Sequence, residues 1–310
     1  MQSFVEKMTG VICPIVTPLK EDESLDEKGL RRLVNHLLRG GVNGVFVLGT
    51  SGELPTLTDR VRLKAVEVVV DEVRGRVPVL AGAGEAGTKR SIELARTLSK
   101  IGVQGLVVCP PYYFQSNSQS ELIDHFAAVA GSIELPVMIY NIPQTTKTSI
   151  EAETVEVLSR IDNIVGVKDS SGDFTHFQEL LMRFRKEQSF RVFQGAERLS
   201  GISVLYGADG VVAGLSNVAP RLVVDLYLAA KSGNIGEVFR LQEKLNHLFK
   251  IHLFGSWLSG LKTSLEILGI CGGRVSAPIF EVKHHTAEIK RILEECELFP
   301  GGIYSGEASA

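Results

Sequence analysis

The run Ile164-Val-Gly-Val-Lys168-Asp-Ser-Ser-Gly-Asp173 places one lysine at the end of an apolar, strand-like segment, just before a helix start. Burial in such a strand disfavours an ammonium ion, and a neutral amine attacks a ketone. The product is an imine whose protonated form withdraws electrons, so that a neighbouring carbon can lose a proton or a C–C bond can break. The same run also accommodates a lysine whose stem packs and whose head reaches water. On this stretch alone that second arrangement is the commoner.

Other polar groups fall in comparable places. Gly49-Thr50-Ser51-Gly52-Glu53 offers two hydroxyls and several backbone N–H groups between glycines, a cradle suited to a carboxylate or an ordinary βα turn with a capping hydroxyl. Cys109-Pro-Pro-Tyr112-Tyr113-Phe114 and Tyr140-Asn141-Ile142-Pro143 bring phenols that could move protons for an imine reaction, or simply pack in rigid loops. The seven histidines (36, 125, 176, 247, 252, 284 and 285) fall mostly in helical stretches and read as surface or partly packed groups. No paired carboxylates stand at metal-ligand spacing. Cys13, Cys109, Cys271 and Cys296 form no CxxC pair, so neither a zinc site nor a disulfide framework is expected. Reduced thiols fit better.

The elements that must position these groups alternate. β-rich runs at 11–17, 44–48, 77–82, 105–109, 136–141, 164–168, 191–195 and 210–213 are separated by helical stretches near 26–39, 58–74, 88–101, 119–131, 151–160, 174–187, 197–206 and 217–232. The strands are rich in Val, Ile, Leu and Gly, as strands covered on both faces are. Eight such units predict a TIM (β/α)8 barrel over 1–233, whose chemistry sits at the C-terminal strand ends. The polar groups at 49–53, 109–114, 140–143 and 168 all lie there.

Beyond Gly233 the strand pattern stops. Helical stretches near 235–250, 255–269 and 284–295 predict a C-terminal helical extension over 234–310, with Phe239, Leu241, Leu245, Leu248 and Phe249 as a face to be buried. The tail from Gly301 has little to pack.

At 310 residues, 44% hydrophobic and 22% charged, the chain reads as soluble and globular. A formal charge of -3 gives no basic surface for nucleic acid. No run approaches a membrane span and no targeting segment is evident, so the cytoplasm is the expected location.

Taken together and in order, Gly49-Thr50-Ser51-Gly52-Glu53, Pro111-Tyr112-Tyr113, Tyr140-Asn141-Ile142-Pro143, Gly166-Val167-Lys168-Asp169-Ser170-Ser171-Gly172-Asp173, and Gly207-Ala-Asp-Gly210 followed by Gly214-Leu-Ser-Asn217 resemble one family over nearly the whole chain. It comprises the Schiff-base pyruvate aldolases and lyases, among them dihydrodipicolinate synthase, N-acetylneuraminate lyase, 2-keto-3-deoxygluconate aldolase and 4-hydroxy-2-oxoglutarate aldolase. The resemblance implies that Lys168 forms an imine with pyruvate or another 2-oxo acid, with no cofactor and no metal. It makes Tyr140 the acid/base, assisted by Thr50, and gives the carboxylate to Thr50, Ser51 and nearby N–H groups. Gly195 and Val212 match pocket-lining positions. Tyr113 matches a residue that crosses a dimer interface, which implies a homodimer or a tetramer of two dimers.

One position departs from the synthases of that family. They carry an arginine two residues after the proline of Tyr-Asn-x-Pro, where it binds the acceptor's carboxylate, whereas this chain has Thr145. A neutral hydroxyl cannot make the bidentate pair, although nearby Lys147 offers a point charge. Ser170 and Glu197 match positions that read hydroxyls in the sugar-acid members. The expectation is therefore an aldolase that reversibly cleaves a hydroxylated 2-oxo acid, of 2-keto-3-deoxy sugar acid or 4-hydroxy-2-oxoglutarate type, to pyruvate and an aldehyde. Its alternatives are 4-hydroxy-tetrahydrodipicolinate synthase, a dehydratase or deaminase of the family, and a binding protein on an inactive barrel. The intact Lys168, Tyr140 and Thr50 set argues against the last.

Overall fold

The computed structural model describes residues 2–116, 118–299 and 302–304. Eight short parallel strands close in sequence order into a barrel: β1 (Gly10–Pro14), β2 (Gly44–Val47), β3 (Val79–Gly82), β4 (Gly105–Val108), β5 (Val137–Asn141), β6 (Ile164–Asp169), β7 (Arg191–Gln194) and β8 (Gly210–Val211). Every strand residue except Arg191 is buried, because helices cover the outer face and side chains fill the inner one.

Two apolar layers result. Inside the barrel, Met8, Ile12, Phe46, Leu80, Val107, Met138, Phe193 and Val212 pack together with Tyr140. The larger layer lies between strands and helices and extends into the C-terminal helices. A helix not expected from the sequence, Gln2–Lys7, brings Phe4 against the inner layer.

The ring closes at its shortest element. β8 contributes only Gly210 and Val211, paired with Gly10 and Val11 of β1 on one side and with Phe193 and Gln194 of β7 on the other. A Cβ on Gly210 would lie 2.1 Å from the Gly10 carbonyl oxygen, so only glycine allows this approach.

Two helices differ from expectation. The one predicted over 197–206 begins as a 3-10 turn, Glu197–Leu199, followed by Ser200–Leu205, and the one predicted from 217 begins at Pro220, whose fixed φ suits a first helical residue. The intervening segment is the 3-10 turn Gly214–Asn217. Helices Ile235–Leu248, Trp257–Ile267 and Thr286–Glu295 follow. Leu241, Leu245 and Leu248 are buried as predicted, whereas Phe239 faces outward, 66% exposed. Most of the tail from Gly301 lies outside the described residues. Among the described residues no helix is long and apolar enough to cross a membrane.

Candidate active site

Strand register brings the site together. Tyr140 on β5 pairs with Lys168 on β6, and Lys168 with Phe193 on β7, so the amine and the phenol enter the barrel side by side. Lys168 is 4% exposed. Its Nζ lies 3.8 Å from the centre of the Tyr140 ring and 5.3 Å from that of Phe46, and Phe46 meets Tyr140 edge-on at 6.4 Å. No carboxylate pairs with the amine among the described residues.

The Tyr140 hydroxyl shares a hydrogen bond with Thr50 Oγ1 at 3.2 Å. Thr50 sits in a turn tied by bonds from the Gly52 N–H to the Gly49 carbonyl (3.0 Å) and from the Glu53 N–H to the Thr50 carbonyl (3.2 Å). Among the described residues the Thr50 and Ser51 N–H groups have no acceptor, which leaves them for a ligand anion.

Alternation along the strands sends the next residues outward. Asn141 Nδ2 donates to Asp169 Oδ1 at 2.6 Å, the Ser171 hydroxyl donates to Asp169 Oδ2 at 2.8 Å, and Asn141 Oδ1 accepts from the Ile150 N–H at 3.0 Å. Burial raises the Asp169 carboxyl above its ordinary range, against the opposing hydrogen bonds from Ser171 and Asn141. This network clamps the ends of β5 and β6 behind Tyr140 and Lys168. Asn141, Asp169 and Ser171 fall within the sequence motifs but were given no role there, although each directly follows a residue that was.

One cavity of about 670 Å³ collects Lys168, Tyr140, Thr50 and Ser51 with Thr145, Ser170, Gly195, Glu197 and Val212. Gly195 is there for lack of a side chain: a Cβ would stand 2.0 Å from Ser170 Oγ and 2.9 Å from Lys168 Cε. The site residue left outside is Tyr113. It is 89% exposed, at φ +81°, and borders a separate hollow of about 310 Å³ that also touches Thr50 and Tyr140. Its neighbour Tyr112 turns to Glu85 Oε2 at 3.5 Å, where burial and then that carboxylate push the phenol up to about 12.

The outer wall carries residues that sequence reasoning missed. Arg198 comes from the turn after β7, and Asn246, Phe249, His252 and Trp257 from the C-terminal segment. Expected to be a surface or partly packed group, His252 is partly buried, with its side chain against Glu197 and its Nε2 3.3 Å from Oε2. Burial is the largest single influence on its pKa and lowers it, but the hydrogen bond and charge of Glu197 together with the Trp257 carbonyl outweigh it and leave the pKa raised. No spacing signal links 252 with 197; only the packing of the C-terminal helices on the barrel does.

A family model described as the dihydrodipicolinate synthetase family matches residues 7–296. The chain is 36% identical over 295 residues to the 4-hydroxy-tetrahydrodipicolinate synthase of Methanothrix thermoacetophila, covering 95% of this chain and 99% of that protein. It is 35% identical over 272 residues to the protein of the same name from Oceanobacillus iheyensis, covering 88% and 91%. The solved dihydrodipicolinate synthase of Bacteroides thetaiotaomicron superposes with a TM-score of 0.88 at 36% identity, covering 93% of this chain and 98% of that one.

These similarities overturn the expected cleavage of a hydroxylated sugar acid, since relatives of such coverage bear the synthase name. The geometry gives a reason. Glu197, expected to read substrate hydroxyls, accepts the Leu215 N–H at 2.5 Å and faces His252, so both of its oxygens are taken. Thr145, whose identity had argued against a synthase, spends its hydroxyl on the Ile142 carbonyl at 3.3 Å and marks only where one reader is missing. With the matched model spanning residues 7–296, the chain belongs to the dihydrodipicolinate synthetase family, whose members are Schiff-base-forming lyases.

Proposed function

We propose that the protein condenses pyruvate, held as an imine on Lys168, with aspartate semialdehyde, as a 4-hydroxy-tetrahydrodipicolinate synthase. The observation that carries this reading is the Lys168 amine lying 3.8 Å from the Tyr140 ring while the Tyr140 hydroxyl bonds Thr50, beside two unoccupied backbone N–H groups. The carboxylate of pyruvate takes those N–H groups and the Ser51 hydroxyl, which aims C2 at the amine. Addition of the amine and loss of water give the imine, and the Tyr140–Thr50 pair moves the protons. Loss of a C3 proton gives an enamine whose C3 attacks the aldehyde carbon, and the new alkoxide takes a proton from Tyr140. Attack on the imine carbon by water or by the acceptor's amino group frees Lys168. No cofactor enters these steps.

Residues 1–233 form the catalytic barrel in this reading and 234–310 an extension that completes the pocket wall. The protein works as a homodimer or a dimer of dimers in the cytoplasm, with the exposed Tyr113 reaching the site of a second copy.

The test is intact-mass spectrometry after incubation with pyruvate and borohydride, followed by peptide mapping and an assay of aspartate semialdehyde consumption. A reduced pyruvyl adduct on Lys168, absent from Lys168→Ala together with all turnover, is the expected result. Turnover retained by Lys168→Ala would sink the mechanism.

A further inference from the structure

Condensation with a carboxylate-bearing aldehyde, the reading on which this inference rests, needs a cation at the acceptor end of the cavity. Thr145 supplies none. Lys147 does not line the cavity, and its Nζ donates to the Gln144 carbonyl at 2.8 Å. Besides Lys168, the cationic side chains in the wall are Arg198 and His252.

The two differ in what already holds them. His252 Nδ1 lies 2.9 Å from the Trp257 carbonyl oxygen, and Nε2 lies 3.3 Å from Glu197 Oε2. Both partners are acceptors, and they favour the protonated ring over the neutral one, against the effect of burial. Its charge is spent on Glu197. That carboxylate is further held by the Leu215 N–H at 2.5 Å, so it neither rotates toward Arg198 nor stands uncompensated against an incoming anion. Arg198 is exposed, with its guanidinium 5.8 Å from the centre of the Phe249 ring and no carboxylate partner among the described residues. A guanidinium resting on an aromatic face, with its N–H edge free, suits bidentate recognition of a carboxylate.

We propose that Arg198, on the turn after β7, binds the carboxylate of the acceptor aldehyde, and that His252 serves as a positioning residue by neutralising and fixing Glu197 beside it. The specificity-determining cation thus comes from the turn after β7 rather than from the segment after β5 that carries Thr145, and the C-terminal segment takes part in acceptor selection through His252 and Phe249.

The experiment compares kcat/KM for aspartate semialdehyde with that for a neutral aldehyde of equal length, in wild type, Arg198→Gln, Arg198→Lys, Lys147→Gln and His252→Gln. Pyruvate-dependent borohydride labelling of Lys168 serves as the check that each variant is folded. The ratio is expected to fall roughly 10- to 100-fold in Arg198→Gln, mainly through KM, as loss of a hydrogen bond to a charged group implies. Arg198→Lys should regain part of it, Lys147→Gln should keep the wild-type ratio, and His252→Gln should lower it by leaving Glu197 unneutralised. An unchanged ratio in Arg198→Gln, or a fall in Lys147→Gln in its place, overturns the assignment. Wild-type protein that labels with pyruvate yet consumes no aspartate semialdehyde instead defeats the functional reading, a different outcome from either.

Discussion

At the scale of single residues, the site works by exclusion as much as by placement. Lys168 is enclosed by Tyr140 and Phe46, and Gly195 withholds a side chain where any Cβ would strike the lysine stem. In the proposed mechanism proton movement rests on one hydroxyl pair, Tyr140 hydrogen-bonded to Thr50. Tyr140→Phe keeps the ring over the amine and removes only the hydroxyl. Turnover should therefore fall by roughly 10²- to 10⁴-fold, the usual worth of a positioned acid/base, while borohydride still traps pyruvate on Lys168. Turnover within a few-fold of wild type would remove Tyr140 from the proton path. The proposed reacting groups could be picked out of the sequence because each lies at or just beyond the C-terminal end of a strand, which is a local signal. Arg198 and His252 were not, because their meaning comes from the fold: one occupies a 3-10 turn where a helix was expected, and the other is brought from about fifty residues away in sequence to meet Glu197.

At the scale of elements, the barrel loop proposed to cradle a carboxylate is anchored by the C-terminal segment. Glu53 turns away from the cavity and forms a wholly buried ion pair with Lys262 of Trp257–Ile267. The lysine also donates to the Arg274 carbonyl at 2.7 Å, and the second Glu53 oxygen accepts from the Ser276 N–H and hydroxyl, each at 2.7 Å. Burial lowers the Lys262 pKa, against the attraction of Glu53. Replacing one partner strands the other charge in the interior, which costs about 3–5 kcal/mol. Lys262→Met should lose that much stability in denaturant unfolding and raise the KM for pyruvate, with Glu53→Gln added to it restoring part of the stability. A loss below about 1 kcal/mol would mean that the pair is not the anchor. The eight strand-and-helix units were readable from period and composition, but this pair was not. Glu53 looked like part of the cradle, and nothing in the sequence marks Lys262 as buried.

At the scale of the whole molecule, burial of titratable groups sets the response to acid. His36 and His125 are enclosed in helices on the barrel wall, and burial holds both near a pKa of about 4. The unfolded chain takes up protons near 6.5. These groups therefore favour the folded state above pH 6.5, and that contribution is lost as pH falls toward 4, by on the order of 3 kcal/mol for each histidine. Urea midpoints should drop steeply between those values and the drop should shrink in His36→Gln; a flat midpoint across the window would contradict it. The closure of the barrel at Gly10 and Gly210 has a consequence in time rather than in energy. The paired strands are separated by 200 residues (210 − 10), and at ribosomal rates of about 5–20 residues per second β1 is made on the order of ten to forty seconds before its last neighbour exists. Throughout that interval the outer edge of β1 has no partner and can pair with any other strand it meets. The newborn chain thus depends on β8, its shortest strand, to end that exposure.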